Sequence, residues 1–349
     1  MRLLSKVFCV AVSLQIPQFA SAEESFKFAF GSCNRANRSQ NIWKVIADKD
    51  PSVFLFIGDN VYADTTDETK MKASYDQLNN QTEFKNFRAK VPVFATWDDH
   101  DYGANDAGAE FPAKDMAQRV FLDFMGQPKD SPRRQQKGIY SAERMQWNGM
   151  NIQFILLDTR YHRSPLLRSD RGYVANSDPN ATILGKEQWL WLEERLKEPA
   201  DLRILASSIQ VLSGEHRYEK WANFPMEQQK LFDLIRRTKA NGLLMISGDR
   251  HIGDQSVMND SRAPYPLYDF TSSGMTQQLE DTISYEKNSL RVEKTSAHTA
   301  TNFGLIELHR SHEKSPWQVT MRLMDGTGRS METVSLELDQ LQVQRPKNN

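Results

Sequence analysis

Cysteine is almost missing from this chain of 349 residues, which holds only Cys9 and Cys33. Cys9 falls in an amino-terminal stretch expected to be removed, so the mature chain keeps one thiol and no internal disulfide can brace its fold. Excess charge of either sign is also absent, with 44 Lys and Arg against 45 Asp and Glu. So weak a global field removes the electrostatic case for a stable nucleic-acid partner or a membrane-surface binder, and any anionic ligand must be recognised locally. Internal repeats, low-complexity tracts and evident linkers are lacking. Beyond the amino terminus no apolar run suggests a transmembrane segment in the mature chain.

The first residues read as an address. Arg2 and Lys6 lead into the apolar stretch Val7 to Ala20, and Ala20-Ser21-Ala22 has the small-x-small form cut by a signal peptidase. The stretch is short for a membrane span and contains Gln15 and Pro17. No twin-arginine pair is present, and Cys9 sits inside the apolar segment ahead of the cut, which argues against a lipid anchor. The expectation is a cleaved Sec-type signal peptide over 1–22, release into the periplasm or medium, and one domain over 23–349.

Apolar runs alternate with helical patterns through the first two thirds of the chain. Phe26 to Phe30, Val53 to Ile57, Val91 to Thr96, Ile152 to Leu157, Ile204 to Ser207 and Leu243 to Ile246 read as buried strands. Helices are expected around Ile42 to Ile46, around Val120 to Phe124, over 186–197 and through Leu231 and Ile235. Strands this apolar need cover on both faces. After about Tyr265 the helices stop, and strands are expected near Tyr268, Leu305, Val319 and Val334. An α/β fold, a four-layer α/β/β/α sandwich of two mixed sheets, satisfies both halves. Long loops at about 160–184 and 272–300 are expected to rim the site.

Ligands in open α/β sheets gather at the carboxyl ends of strands. Here the runs end in Gly31-Ser32-Cys33-Asn34, in Gly58-Asp59-Asn60-Val61-Tyr62, in Trp97-Asp98-Asp99-His100-Asp101, in Ser208-Ile209-Gln210 and in Gly248-Asp249-Arg250-His251. Converging carboxylates repel one another unless cations lie between them, so this recurrence points to an oxygen-rich metal site. Two metals bridged by a carboxylate suit an in-line phosphoryl displacement by an activated water. Asp59 is the expected bridge. His100 is placed to protonate a leaving group or donate a hydrogen bond to the transferred phosphoryl.

The motifs FGSCN, GDNVYAD, TWDDHD, LLDTR and SGDRH, in this order between about Phe28 and Met275, resemble the alkaline phosphatase D family of calcineurin-like metallophosphoesterases. The resemblance implies the metallo-dependent phosphatase fold and a phosphoester substrate, monoester or diester, with diesters favoured. It implies that Cys33, Asp59 and Tyr62 hold one iron-type metal. It further implies that Asp99, Asp249 and His251 complete a binuclear or larger cluster, of iron plus calcium or another divalent ion, around the shared Asp59. Register with the superfamily favours Asp99 as ligand and Asp98 as support, and the reverse stays open. Gln210 stands roughly where the superfamily has a lone histidine and is left outside the metal set.

Of the arginines in the loop after 152–157, namely Arg160, Arg163, Arg168 and Arg171, the DTR motif favours Arg160 as the substrate contact, since guanidinium donors match phosphate oxygens. Two competing readings are weighed. A cysteine-dependent phosphatase would use Cys33 and Arg38, but the interval between them is one residue too short for backbone amides to wrap a phosphate. A secreted binding protein on an inactive phosphatase scaffold is the other, and the retained clusters of costly carboxylates oppose it.

Overall fold

The computed structural model describes residues 24–279 and 286–343, and the expected signal peptide lies outside them. In chain order the first elements are β1 (Glu24–Gly31), α1 (Ile42–Ala47), β2 (Val53–Ile57), α2 (Glu68–Asn79), α3 (Thr82–Arg88), β3 (Val93–Thr96), α4 (Asp99–Tyr102) and α5 (Lys114–Phe124). There follow β4 (Ser141–Trp147), β5 (Met150–Leu156), the hairpin β6 (Leu167–Ser169) and β7 (Gly172–Val174), α6 (Gly185–Lys197), β8 (Leu202–Ser207) and α7 (Pro225–Thr238). The chain then passes through β9 (Leu243–Ser247), β10 (Gly253–Met258), β11 (Leu267–Ser272), β12 (Asn302–Arg310), β13 (Gln318–Asp325) and β14 (Ser330–Glu337).

Two mixed six-stranded sheets result, ordered β14-β13-β12-β1-β2-β3 and β10-β11-β9-β8-β5-β4. Alternation along the strands decides what each face covers. In β2, Val53, Leu55 and Ile57 enter the core between the sheets, while Phe54 and Phe56 turn to the helices on the outer side. Phe28 meets Phe154 edge-on at 5.4 Å between ring centroids, and Phe30 meets Phe270 at 5.0 Å, so the sheets are joined by aromatic contacts. Glycine at 304 is required by this packing: a Cβ there would lie 2.1 Å from the Phe30 ring. Burying one such large apolar side chain contributes about 1.5–3 kcal/mol. Helices α6 and α7 cover the outer face of the second sheet, which completes the four layers expected from the pattern.

The elements that the sequence pattern leaves unmarked are α2, α3, the short α4, β4, β10 and the β6–β7 hairpin, the last lying inside the segment expected to be a long loop. Strand β4 alternates half-buried and exposed residues at a sheet edge, so it lacks the apolar run that marks the central strands. In α2 the apolar positions are spread thinly, and the clearest signal is Asp67, whose side chain accepts hydrogen bonds from Thr69 and Lys70 as an N-cap.

Strands β1, β2 and β3 run parallel, as do β5, β8, β9 and β11, so their carboxyl ends emerge at one edge of the sandwich. Thr96 Oγ1 donates across the sheets to the carbonyl of Leu157 at 2.7 Å, and Gly248 N–H donates to Ser208 at 3.1 Å. These bonds hold the strand ends in register with one another.

Trp43 anchors the outer helical layer, with its ring 5.0 Å from Phe54, 4.8 Å from Phe84 and 5.2 Å from Phe87. Trp43→Ala is expected to lower stability by about 3–5 kcal/mol in urea unfolding, and a loss below about 1 kcal/mol would contradict a close-packed layer there.

Candidate metal centre

Four of the residues expected to bind metal sit in left-handed backbone just beyond a strand: Cys33 at φ 62°, Asp59 at 48°, Asp249 at 68° and His251 at 58°. Side chains other than glycine avoid this region, and such strain persists where the surroundings enforce it for function. Gly58, at φ 110°, leads into Asp59 and cannot be replaced freely, because a Cβ would fall 2.6 Å from that of Asp98. The turns aim the side chains inward from several strand ends.

Three overlapping groups have ligand atoms within 4.8 Å of one another: Cys33, Asp59 and His251; Asp59, Asp99 and His100; and Asp98, Asp99 and Asp249. Asp59 belongs to two of them and Asp99 to two, so the groups form a continuous chain of donors. The first offers sulfur, oxygen and nitrogen, a set suited to a transition metal. Tyr62 Oη joins it, 3.1 Å from His251 Nε2. The third is all oxygen and suits a hard cation. Asp98 Oδ2 is buried with no hydrogen-bond partner among the described residues, as an oxygen facing a cation would be. The donors therefore fit a mixed metal cluster.

Electrostatics support the same reading. Burial pushes the Asp59 and Asp249 carboxyls well above their ordinary range, and the neighbouring aspartates add to the rise. Burial likewise raises the Cys33 thiol and the Tyr62 phenol, with Asp59 contributing to both. Burial lowers His251 to about 4, with His100 and Arg250 adding to the fall. Burial works against a charged His100, yet the hydrogen bond from its Nδ1 to Asp64 at 2.7 Å, together with Asp99, raises it to about 9. That bond leaves Nε2 as the nitrogen available to a ligand.

Around the donors lies a frame of hydrogen bonds. Asp101 accepts from the backbone of Asp98 at 2.6 Å and of Asn60 at 3.1 Å, tying the loop after β2 to the start of α4. Asp99 accepts from His100 N–H at 2.8 Å and from Asp106 N–H at 2.6 Å.

Arg160 does not sit where a substrate contact requires. It is fully buried, pairs with Asp98 and donates to Glu219 at 2.5 Å, while Arg163 pairs with the same glutamate at 2.8 Å. Its guanidinium backs the aspartate cluster from beneath, a correction to the expected role. Asp158 of the same motif accepts from Trp97 Nε1 and from the Arg160 and Tyr161 backbones, which fixes the turn that delivers Arg160. Gln210 donates to Thr271 Oγ1 at 2.8 Å. Sequence reasoning passed over Asp64 although it closes the GDNVYAD motif. Glu219 carries no local signal at all, since only folding brings it to Arg160.

The centre floors a cleft of about 490 Å³, to which Asp59, Asp99, His100, Asp249 and His251 contribute. Leu279, from the second loop expected to form the rim, also lines it.

Comparison with known proteins agrees with the motifs. The family described as PhoD-like phosphatase matches residues 28–316. Alkaline phosphatase D of Bacillus subtilis (strain 168) is 23% identical over 265 residues, which make up 64% of this chain and 45% of that protein. The chain thus spans less than half the length of this curated relative. A solved structure titled "Structure of PhoD" superposes with a TM-score of 0.73 at 19% identity, covering 92% of this chain and 71% of the other. GAP50, titled the anchor in the inner membrane complex of Plasmodium, superposes with a TM-score of 0.56 at 14% identity, covering 93% and 90% respectively. At these identities the structural likeness speaks for the fold alone, a metallophosphatase-like sandwich.

Acids whose folded pKa lies above the unfolded value favour folding below about pH 4 and withdraw that support as pH rises through the folded value. With Asp98 raised to about 6 and Asp101 to about 7, both by burial, chelator-treated protein is expected to lose thermal stability from pH 5 to pH 8. Adding metal should restore it and release protons, read by calorimetry in buffers of different ionisation enthalpy. Chelated protein that grew more stable over this window would contradict a cluster of uncompensated acids.

Proposed function

The chain belongs to the PhoD-like phosphatase family, and on that premise we propose that it is an exported, metal-dependent phosphoester hydrolase acting on phosphodiesters in preference to monoesters. The observation that carries the reading is the chain of overlapping donor groups, running from the mixed set at Cys33 to the all-oxygen set at Asp249, at the floor of an open cleft. Cys33, Asp59, Tyr62 and His251 would hold an iron-type ion. Asp59, Asp99 and Asp249 would hold calcium or another hard cation, with Asp98 adding the oxygen left over from its pair with Arg160. When bound, such metals lower the pKa of a water and stabilise the attacking and leaving oxygens of an in-line displacement.

The protein's own residues supply position and protons. Asp59 stands between the two donor sets and fixes their spacing. His100, oriented by Asp64 through Nδ1, presents Nε2 to donate a proton to the leaving oxygen or a hydrogen bond to the transferred phosphoryl. Its ring lies 4.2 Å from that of Tyr62, which limits its rotation. Arg160 acts as a positioning residue: it holds Asp98 in place and offsets the negative charge gathered above it. Residues 23–349 would act as one domain after signal cleavage.

Hydrolysis of bis(p-nitrophenyl) phosphate, measured beside elemental analysis, tests this reading. The wild-type chain is expected to carry about one iron and at least about one calcium, with the iron lost in Cys33→Ala. Asp59→Asn should disrupt metal loading and cut turnover at least about a thousandfold. His100→Ala should keep its metals and slow turnover about 10²–10⁴-fold. Unchanged turnover in Asp59→Asn would overturn the mechanism.

A further inference from the structure

The cleft that ends on an acidic floor has a mouth where cations outnumber acids, with Arg168, Arg171 and Arg217 set against Asp170. Arg168 and Arg171 from the β6–β7 hairpin and Arg217 from the loop after β8 all line it and are exposed. Among the described residues no carboxylate hydrogen-bonds any of these three guanidinium groups. By contrast Arg250, also at the cleft, is held by both oxygens of Glu286 at 2.7 and 2.8 Å.

Arg168 and Arg217 are held in place by their surroundings, and Arg171 sits at the turn of the same hairpin. Tyr173 N–H donates to the Arg217 carbonyl at 2.8 Å, and its phenol donates to Asp106 at 2.6 Å, the residue whose N–H binds Asp99. The hairpin is therefore tied both to the opposite loop and to a metal-binding carboxylate. Gly172, at φ 110°, permits the approach, because a Cβ there would fall 2.3 Å from the Arg217 carbonyl oxygen. Arg168 packs over Tyr173 at 5.3 Å, while Arg217 and Arg250 lie 5.1 and 4.0 Å from the centroid of the same Tyr218 ring. These ring contacts restrain the Arg168 and Arg217 guanidinium groups and leave them donors for an anion, whereas that of Arg250 is engaged by Glu286. Two cations against one ring, with one carboxylate to balance them, form a site whose charge an incoming anion would complete.

We propose that Arg168, Arg171 and Arg217 form an anion subsite at the mouth of the cleft, which selects phosphodiesters bearing a second phosphate beside the scissile group. This rests on the phosphoesterase reading. The metal-binding floor takes the scissile phosphoryl, and the arginines take the second phosphate through charge-assisted, forked hydrogen bonds. The subsite raises the specificity constant for such substrates and makes that gain sensitive to salt, since exposed charges are screened.

The test uses two chromogenic esters that differ in one group, the p-nitrophenyl ester of thymidine 5′-phosphate with and without a 3′-phosphate. In the metal-loaded protein kcat/KM is expected to be at least about tenfold higher for the ester with the second phosphate, and the ratio should shrink as salt is raised. The ratio should collapse toward unity in R168Q/R217Q and invert in R217E, with circular dichroism checking that each variant is folded. R171Q, which leaves the tied hairpin backbone untouched, should lower the ratio part of the way. Equal kcat/KM for the two esters in the wild-type protein, or a preference that survives in both R168Q/R217Q and R217E, would overturn the subsite while leaving phosphoester hydrolysis standing. Turnover of neither ester, despite full metal loading, would overturn the hydrolase reading and this inference with it.

Discussion

Mutual repulsion among buried acids is the constraint on which the rest of this structure turns. Asp59, Asp98, Asp99 and Asp101 are buried together with the Cys33 thiol, and half-buried Asp249 and Tyr62 close the cluster on the side of the cleft. No fold gathers so many acidic groups without compensation. Part of it comes from beneath: Arg160 and Arg163 share Glu219, and Arg160 extends the network to Asp98, so two arginines and two acids form a nearly neutral buried base. Another part comes from backbone and amide donors directed at Asp99 and Asp101. What remains uncompensated faces the cleft, where the donor groups suit cations.

The backbone pays a related cost at the same edge. Left-handed conformations at Cys33, Asp59, Asp249 and His251 turn side chains from separate strands toward a common point. The sandwich sustains this because Thr96 pins strand ends across the sheets, the Gly248–Ser208 bond ties neighbouring ends within the second sheet, and Phe28 and Phe30 pack on their aromatic partners between the sheets. Core and site are thus coupled: the apolar strands supply the rigidity that strained, charged turns require.

Much of the architecture is legible in the sequence because the central strands are buried on both faces and leave continuous apolar runs. The apolar run Val53 to Ile57 coincides with β2 from end to end. Edge strand β4 and helices α2 and α3 have no such run, since half-exposed elements carry weaker patterns. The β6–β7 hairpin leaves no strand signal in the sequence for the same reason: its short strands are mostly exposed and held by contacts with Arg217 and Asp106. In the site, the motif residues at strand ends could be read as donors because their chemical types recur in one topological position.

By itself the sequence determined the order of the strands' apolar runs, the donor types that follow them and the family to which their motifs belong, because each is carried by short stretches of adjacent residues. Only the tertiary structure decided which face of the cluster each donor occupies. It moved Arg160 from the expected substrate contact to a buried counter-charge, because Glu219, remote in sequence, and Asp98 enclose its guanidinium. It also joined Cys33, Asp59 and His251 into one donor group and Asp98, Asp99 and Asp249 into another. These groupings depend on distances between strand ends and on left-handed turns, neither of which is set by any local run of residues.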